Sequence, residues 1–213
     1  YTVTYENNIG VGTATLTVRG DGRTYTGTVV KEFQVAKRSV NKASITFKDD
    51  EYAGGTNEFV EDYQATYINK PIEPEILVQM DLDEDGTFET TLEPYDATTG
   101  VGDYTVTYAN QRDAGNAYVV IRGEGERYTS SATDLYRILP RDITDATDVR
   151  IAAIPGQAHT GTGIEPDMVI TYSPAKGNTQ TLTVGKDYVA SYTNNVDITY
   201  DDENLAVATA TGQ

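Results

Sequence analysis

Asp81-Leu-Asp83-Glu-Asp85-Gly86 is the stretch of this chain whose residue types and spacing best suit chemistry. Carboxylates at alternate positions, closing on a glycine that permits a sharp turn, wrap oxygen ligands around calcium. A helix–loop–helix calcium loop needs a glutamate at its twelfth position, and that place here is Leu92. Glu89 or Glu93 can complete a different geometry, which makes Asp81, Asp83, Asp85 and Glu89 the candidate ligands. The competing reading is a solvated acidic turn between strands, because the segment aligns with Ser173-Pro-Ala-Lys-Gly-Asn178, which carries no acid.

Other reactive side chains are sparse. His159 is the single histidine and there are no cysteines, so thiol nucleophiles, disulfides and Cys-type zinc sites are excluded. A nucleophilic triad or transition-metal site would need further partners for His159. That residue instead falls where another part of the chain has Tyr67, which points to a structural role. The many Asp and Glu residues read as a solvated face and not as a catalytic pair, and no catalytic residue is assigned. Tyr52 and Tyr95 lie in loop insertions, where a rigid scaffold commonly carries binding residues; they are the candidate ligand-binding side chains.

The elements that must position these residues are repeats. Tyr1-Thr-Val-Thr-Tyr5, Tyr104-Thr-Val-Thr-Tyr108 and Tyr188-Val-Ala-Ser-Tyr192 are versions of one strand, each followed by an Asn-containing turn. Gly12-Thr-Ala-Thr-Leu-Thr-Val-Arg-Gly20 and Gly115-Asn-Ala-Tyr-Val-Val-Ile-Arg-Gly123 are two versions of the strand that follows. Alternation puts Tyr1, Val3 and Tyr5 on one face and the threonines on the other, so these tyrosines are expected to point inward. The segment 67–74 matches 159–166 without a gap, and Lys37-Arg-Ser-Val40 matches Pro140-Arg-Asp-Ile143. One complete module is therefore expected over 37–139, with insertions at 49–59 and 93–101. A C-terminal half-module precedes it at 1–36, and 140–213 reads as a module lacking its last strands.

Residues Tyr1 to Asn8, Gly12 to Gly20, Tyr25-Thr-Gly27, Phe33 and Val35 carry a family likeness, as do Asp103 to Asn110, Gly115 to Gly123, Tyr128 and Tyr136. In this pattern the chain resembles the tandem bacterial immunoglobulin-like repeats of the MBG ("mostly bacterial Ig-like") type. Ser130 stands where the first copy has Gly27, and the third copy lacks the Tyr-Thr-Gly segment. The resemblance implies an all-β fold of tandem immunoglobulin-like β-sandwich modules, one complete and two partial, on a secreted or wall-attached bacterial protein. It also raises a lysine-based isopeptide crosslink, for which Lys31, Lys42 and Lys70 are available but no spacing selects a pair.

Composition agrees with an exposed, non-catalytic array. Tyr supplies the aromatic mass, 16 residues against 4 Phe and no Trp; its ring can be buried while its hydroxyl stays wet, which suits thin modules. The net charge of −17 repels nucleic acid and anionic membrane and attracts cations. No stretch approaches the roughly 20 apolar residues of a membrane span. The expected role is a stalk or spacer on the cell surface, needing no cofactor, with calcium as an optional stiffener and neighbouring repeats as its partners. One alternative is an adhesin that holds a host protein or glycan through the insertions. Another is a filament subunit whose incomplete modules are filled by self-association through strand addition.

Overall fold

The computed structural model describes residues 1–197 and 205–213; the part of the 140–213 stretch at 198–204 lies outside the described residues. The protein is all-β. Thr, Val, Tyr and Ile at alternate positions favour a pleated backbone with one buried face, and among the described residues the sole helical element is a 3-10 turn at Val40–Lys42.

The first stretch forms β1 (Thr2–Glu6), β2 (Gly12–Arg19) and β3 (Thr28–Val35). The second forms β4 (Arg38–Ser39), β5 (Ser44–Lys48), β6 (Phe59–Val60), β7 (Gln64–Thr66), β8 (Ile76–Met80), β9 (Thr90–Thr91), β10 (Tyr104–Ala109), β11 (Gly115–Gly123), β12 (Tyr128–Thr129) and β13 (Ser131–Leu139). The third forms β14 (Val149–Ile151), β15 (Ile170–Tyr172), β16 (Gln180–Thr181), β17 (Tyr188–Thr193) and β18 (Val207–Gly212). Two compact units result: one holds 1–64, 73–111 and 116–137, the other 65–72, 112–115 and 138–213.

In the first unit two sheets enclose a core. Strand order is β6-β5-β8-β9 in one and β10-β11-β13-β7 in the other. Ile45, Phe47, Val78 and Met80 from the former and Tyr104, Ala117, Val119, Ile121 and Tyr136 from the latter are buried. Phe47, Tyr63 and Tyr136 meet with ring centroids 5.6 to 6.0 Å apart, in tilted or edge-on geometry that suits the ring quadrupoles. Tyr108 donates its hydroxyl proton to Pro74 O at 2.6 Å.

The repeat shows in the register. Val3 opposes Val18 and Tyr5 opposes Leu16; Val106 opposes Ile121 and Tyr108 opposes Val119. Asn7, Asn110 and Asn194, the turn residues of the three copies, have φ of 56°, 56° and 53°, the left-handed conformation that Asn tolerates better than most residues. The third copy keeps more than the sequence suggested. β17 pairs with β18 in the same register, with Tyr192 opposite Ala208, so its second strand is present as Ala206-Val-Ala-Thr-Ala-Thr-Gly212 and ends on glycine like the others. What the sheet β17-β18 lacks, among the described residues, is the counterpart of β13.

The first copy departs from expectation in burial. β1, β2 and β3 form a three-stranded sheet with the expected apolar face, yet Tyr1 is 79% exposed where Tyr104 is 2% exposed, and Phe33 is 40% exposed where Tyr136 is 1% exposed. The inward face exists, and no second sheet covers it among the described residues.

The second unit is smaller. Val149, Met168, Ile170, Tyr172, Leu182 and Tyr188 form its core, with Tyr67, Ile143, Ala190, Ala208 and Ala210 packed against it. Its sheets are β14-β15-β16 and β17-β18.

Candidate functional site

The acidic stretch is the connection from β8 to β9. Asp81 Oδ1 accepts from Glu84 N at 2.6 Å and Oδ2 from Gly86 N at 2.8 Å; Asp85 Oδ1 accepts from Thr87 N at 2.8 Å. Glu84 and Gly86 both take positive φ, 63° and 94°, which folds the loop back over its first residue. Partial desolvation pushes the Asp81 carboxyl up, but the amides of Gly86, Glu84 and Asp85 outweigh it and hold the group below the ordinary carboxylate range. One carboxylate oxygen from each of Asp81, Asp83, Asp85 and Glu89 lies within 4.8 Å of the others. Oxygens bound to one calcium at about 2.3–2.6 Å can be no more than about 5 Å apart, so the four predicted ligands are brought together at a spacing one ion spans.

The insertions are ordered, and Asp residues order them. At 49–59 the buried Asp49 accepts from Gly54 N, from Thr56 N at 3.1 Å and from Thr56 Oγ1 at 2.6 Å. The Thr56 hydroxyl and the Gly54 and Thr56 amides lower its proton affinity. Asp50 accepts from Tyr52 N at 3.0 Å and from the Tyr63 hydroxyl at 2.7 Å, which ties the loop to the core. At 93–101, Asp96 N donates to Val101 O and Gly100 N to Asp96 O, closing a short turn. Tyr52 and Tyr95 are both half-buried. One insertion joins β5 to edge strand β6 and the other follows edge strand β9, with β5 and β8 between those edges. The structure does not bring these two candidate ligand-binding tyrosines onto one edge.

A third cluster was not legible as a site. Residues 65–72 and 112–115 belong to the second repeat by sequence, yet they are part of the second compact unit. There Asn69 and Asn178 exchange hydrogen bonds: Asn69 Nδ2 donates to Asn178 O at 3.2 Å and Asn178 Nδ2 to Asn69 O at 3.0 Å. Asn178 N donates to Ile68 O at 3.1 Å. Tyr67 stacks on Tyr172, centroids 6.0 Å apart at 20°, and the Tyr172 hydroxyl donates to Tyr67 O at 2.5 Å. Arg112 reaches Asn69 Oδ1 at 3.2 Å. Gly177 is required by close approach, since a Cβ there would stand 1.7 Å from Ile68 O. The turn 173–178 thus packs closely on residues 68–69; the aligned turn of the second repeat is the acidic 81–86. The clue in the sequence was that Lys176-Gly-Asn178 replaces Glu84-Asp-Gly86, a neutral close-packing turn in place of a charged one.

His159 is exposed and lines a cavity of about 660 Å³ in the second unit with Tyr192, Ile164 and Gln157. No second imidazole exists to act with it. Lys31 and Lys42 are exposed and Lys70 is half-buried. Among the described residues no helix is long and apolar enough to cross a membrane. No protein-family model, curated protein or solved structure matches this chain.

Proposed function

We propose that this chain is a non-catalytic spacer of tandem immunoglobulin-like modules, of the MBG type, on a bacterial surface or secreted protein, where it holds a distal domain away from its anchor. The observation that carries the reading is the joint. End loops of one repeat are built by paired asparagines, a stacked tyrosine pair and a glycine contact into the unit of the next. Repeat arrays derive their stiffness and much of their stability from such nearest-neighbour interfaces. The adhesin reading would have Tyr52 and Tyr95 converge, and they stand beside opposite edge strands. Pulling the chain between terminal handles by force spectroscopy tests the proposal. A spacer gives resolved force peaks, and substituting Asn69 and Asn178 with alanine lowers one of them. Extension without resolved peaks rejects it.

Calcium is a second element of this reading, supported by the four carboxylates within 4.8 Å of one another. A cation in the β8–β9 turn relieves their mutual repulsion and stiffens the turn that aligns with the joint. Calorimetric titration of EDTA-stripped protein is expected to show one site that Asp81→Asn abolishes and that magnesium fills poorly, since magnesium demands a tighter octahedron. A flat titration removes calcium and leaves the spacer reading standing.

A further inference from the structure

A cavity of about 550 Å³ opens in the first unit beside the connection from β11 to β13, lined by Lys37, Arg122, Glu124, Thr129, Ser130 and Ser131, with Tyr128. No aliphatic side chain takes part, and none of these residues belongs to the insertions at 49–59 and 93–101. The chain as a whole holds 33 acids against 16 Lys and Arg, yet this cavity holds two cations and one acid. Lys37 Nζ donates to Gly125 O at 2.6 Å, which uses one of the three donors of an ammonium. Arg122 Nε stands 3.8 Å from the Glu124 carboxylate, too far for a hydrogen bond, so the guanidinium keeps its donors for a ligand.

Ser130 is the second observation. Its φ is 68°, in the left-handed region that is costly for a residue with a Cβ. The first copy places Gly27 there, at φ 100°, and the backbone does the same work in both. Gly20 N donates to Gly27 O at 3.0 Å, and Gly123 N to Ser130 O at 2.9 Å, so glycine satisfies this turn. A Cβ added at Gly27 meets nothing within 4 Å, so packing does not ask for a side chain there either. The second repeat accepts a strained backbone and gains a hydroxyl on the wall of the cavity; strain of this kind concentrates at functional sites. The cations are equally foreign to the scaffold. In the third repeat Pro140 takes the place of Lys37. Thr211, opposite Val189 as Arg122 is opposite Thr105, takes the place of Arg122.

We propose that this cavity binds one uronic-acid residue of an anionic polysaccharide. The sugar carboxylate pairs with the planar guanidinium of Arg122, which can meet it in two parallel hydrogen bonds, and with the Lys37 ammonium. The ring hydroxyls exchange hydrogen bonds with Thr129, Ser130 and Ser131, each of which can donate and accept, and donate to Glu124. The Glu124 carboxylate also selects among anions, since it accepts from sugar hydroxyls and repels a compact dianion such as phosphate. A lining without aliphatic side chains turns away a lipid. With a net charge of −17 the chain repels a polyanion at long range, so affinity rests on the contacts inside the cavity. The inference goes beyond the spacer reading and does not depend on it.

The test is calorimetric titration of the full chain with a short oligogalacturonate in EDTA, so that calcium cannot bridge acid to acid, with amide NMR shifts to locate the contact. Saturable binding is expected, with shifts at Lys37 and over 122–131. Arg122→Gln or Lys37→Met should each weaken it at least about tenfold, the equivalent of about 1.4 kcal/mol. Ser130→Gly should weaken binding while raising the unfolding midpoint, because glycine relaxes the turn as the hydroxyl is lost. A neutral galactose oligomer should not bind. Absence of saturation at millimolar oligogalacturonate overturns the proposal. So does equal binding of the neutral oligomer or of inorganic phosphate, affinity indifferent to Ser130→Gly, or shifts that gather at the insertions 49–59 and 93–101.

Discussion

The sheet β1-β2-β3 and the strands β10-β11-β13 follow one pattern, with β1-β2 and β10-β11 paired in the same register, and they end in opposite states. Tyr25 is 73% exposed and Tyr128 is 5% exposed; Ala14 and Ala117 are buried in both, since a small side chain between two strands is covered by its own sheet. The difference lies in the second layer. Residues 40–92 place Phe47, Val78, Met80 and Leu92 opposite the later sheet, and nothing of that kind faces the earlier one among the described residues. An apolar face is thus a local property of strand alternation, whereas a core needs two faces from distant parts of the chain.

The most severe way to break this comparison is to remove the ring at the same place in each sheet. Tyr136→Ala should cost about 3–5 kcal/mol in denaturant unfolding of the second repeat, because Phe47, Tyr63 and Tyr108 lose a partner at once. Phe33→Ala should cost less than about 1 kcal/mol. Equal losses would mean that the first sheet is covered in solution. Gly177→Ala comes next. Its Cβ would collide with Ile68 O, and a loss of about 2–3 kcal/mol is expected, seen as faster hydrogen exchange in β15 and β16 while β5 and β8 keep their protection.

Alkali gives a smaller and graded separation. Burial pushes the Tyr108 hydroxyl up to about 12, and burial, with the hydrogen bond to Asp50, pushes Tyr63 up as well. Burial does the same to Tyr136. These groups are neutral when folded and ionise near pH 10 when unfolded. Their contribution is therefore complete below about pH 10 and is lost as pH rises towards 12 and beyond. Spectrophotometric titration with circular dichroism should show the second repeat opening in that window; tyrosines ionising with no loss of structure would contradict the burial described. The mildest change is at the turns. Asn110→Ala should cost about 1 kcal/mol for a left-handed residue and Asn110→Gly close to nothing, with Asn7 following the same order.

Much of this was legible in advance. Alternation in Tyr1 to Tyr5, the Asn turns and the closing glycines set strand positions, faces and register, because each depends on neighbours in sequence. The clustering of the four carboxylates was equally legible, since 81–89 folds back on itself through its own amides. Less visible was β18. Ala206 to Gly212 substitutes alanine for larger apolar residues, so its likeness to β11 emerges from pairing and not from residue type. Invisible were the places where remote segments meet: the joint of Asn69 with Asn178 and the separation of Tyr52 from Tyr95.

The sequence by itself determined an all-β chain of repeated strands, their inner and outer faces, and a loop able to gather four carboxylates. Those properties follow from φ/ψ preferences and from side-chain alternation over a few residues. Only the tertiary structure decided which faces are closed and which turn becomes a joint. These depend on contacts between segments scores of residues apart, where no local preference selects the partner and the outcome rests on which complementary surface is within reach.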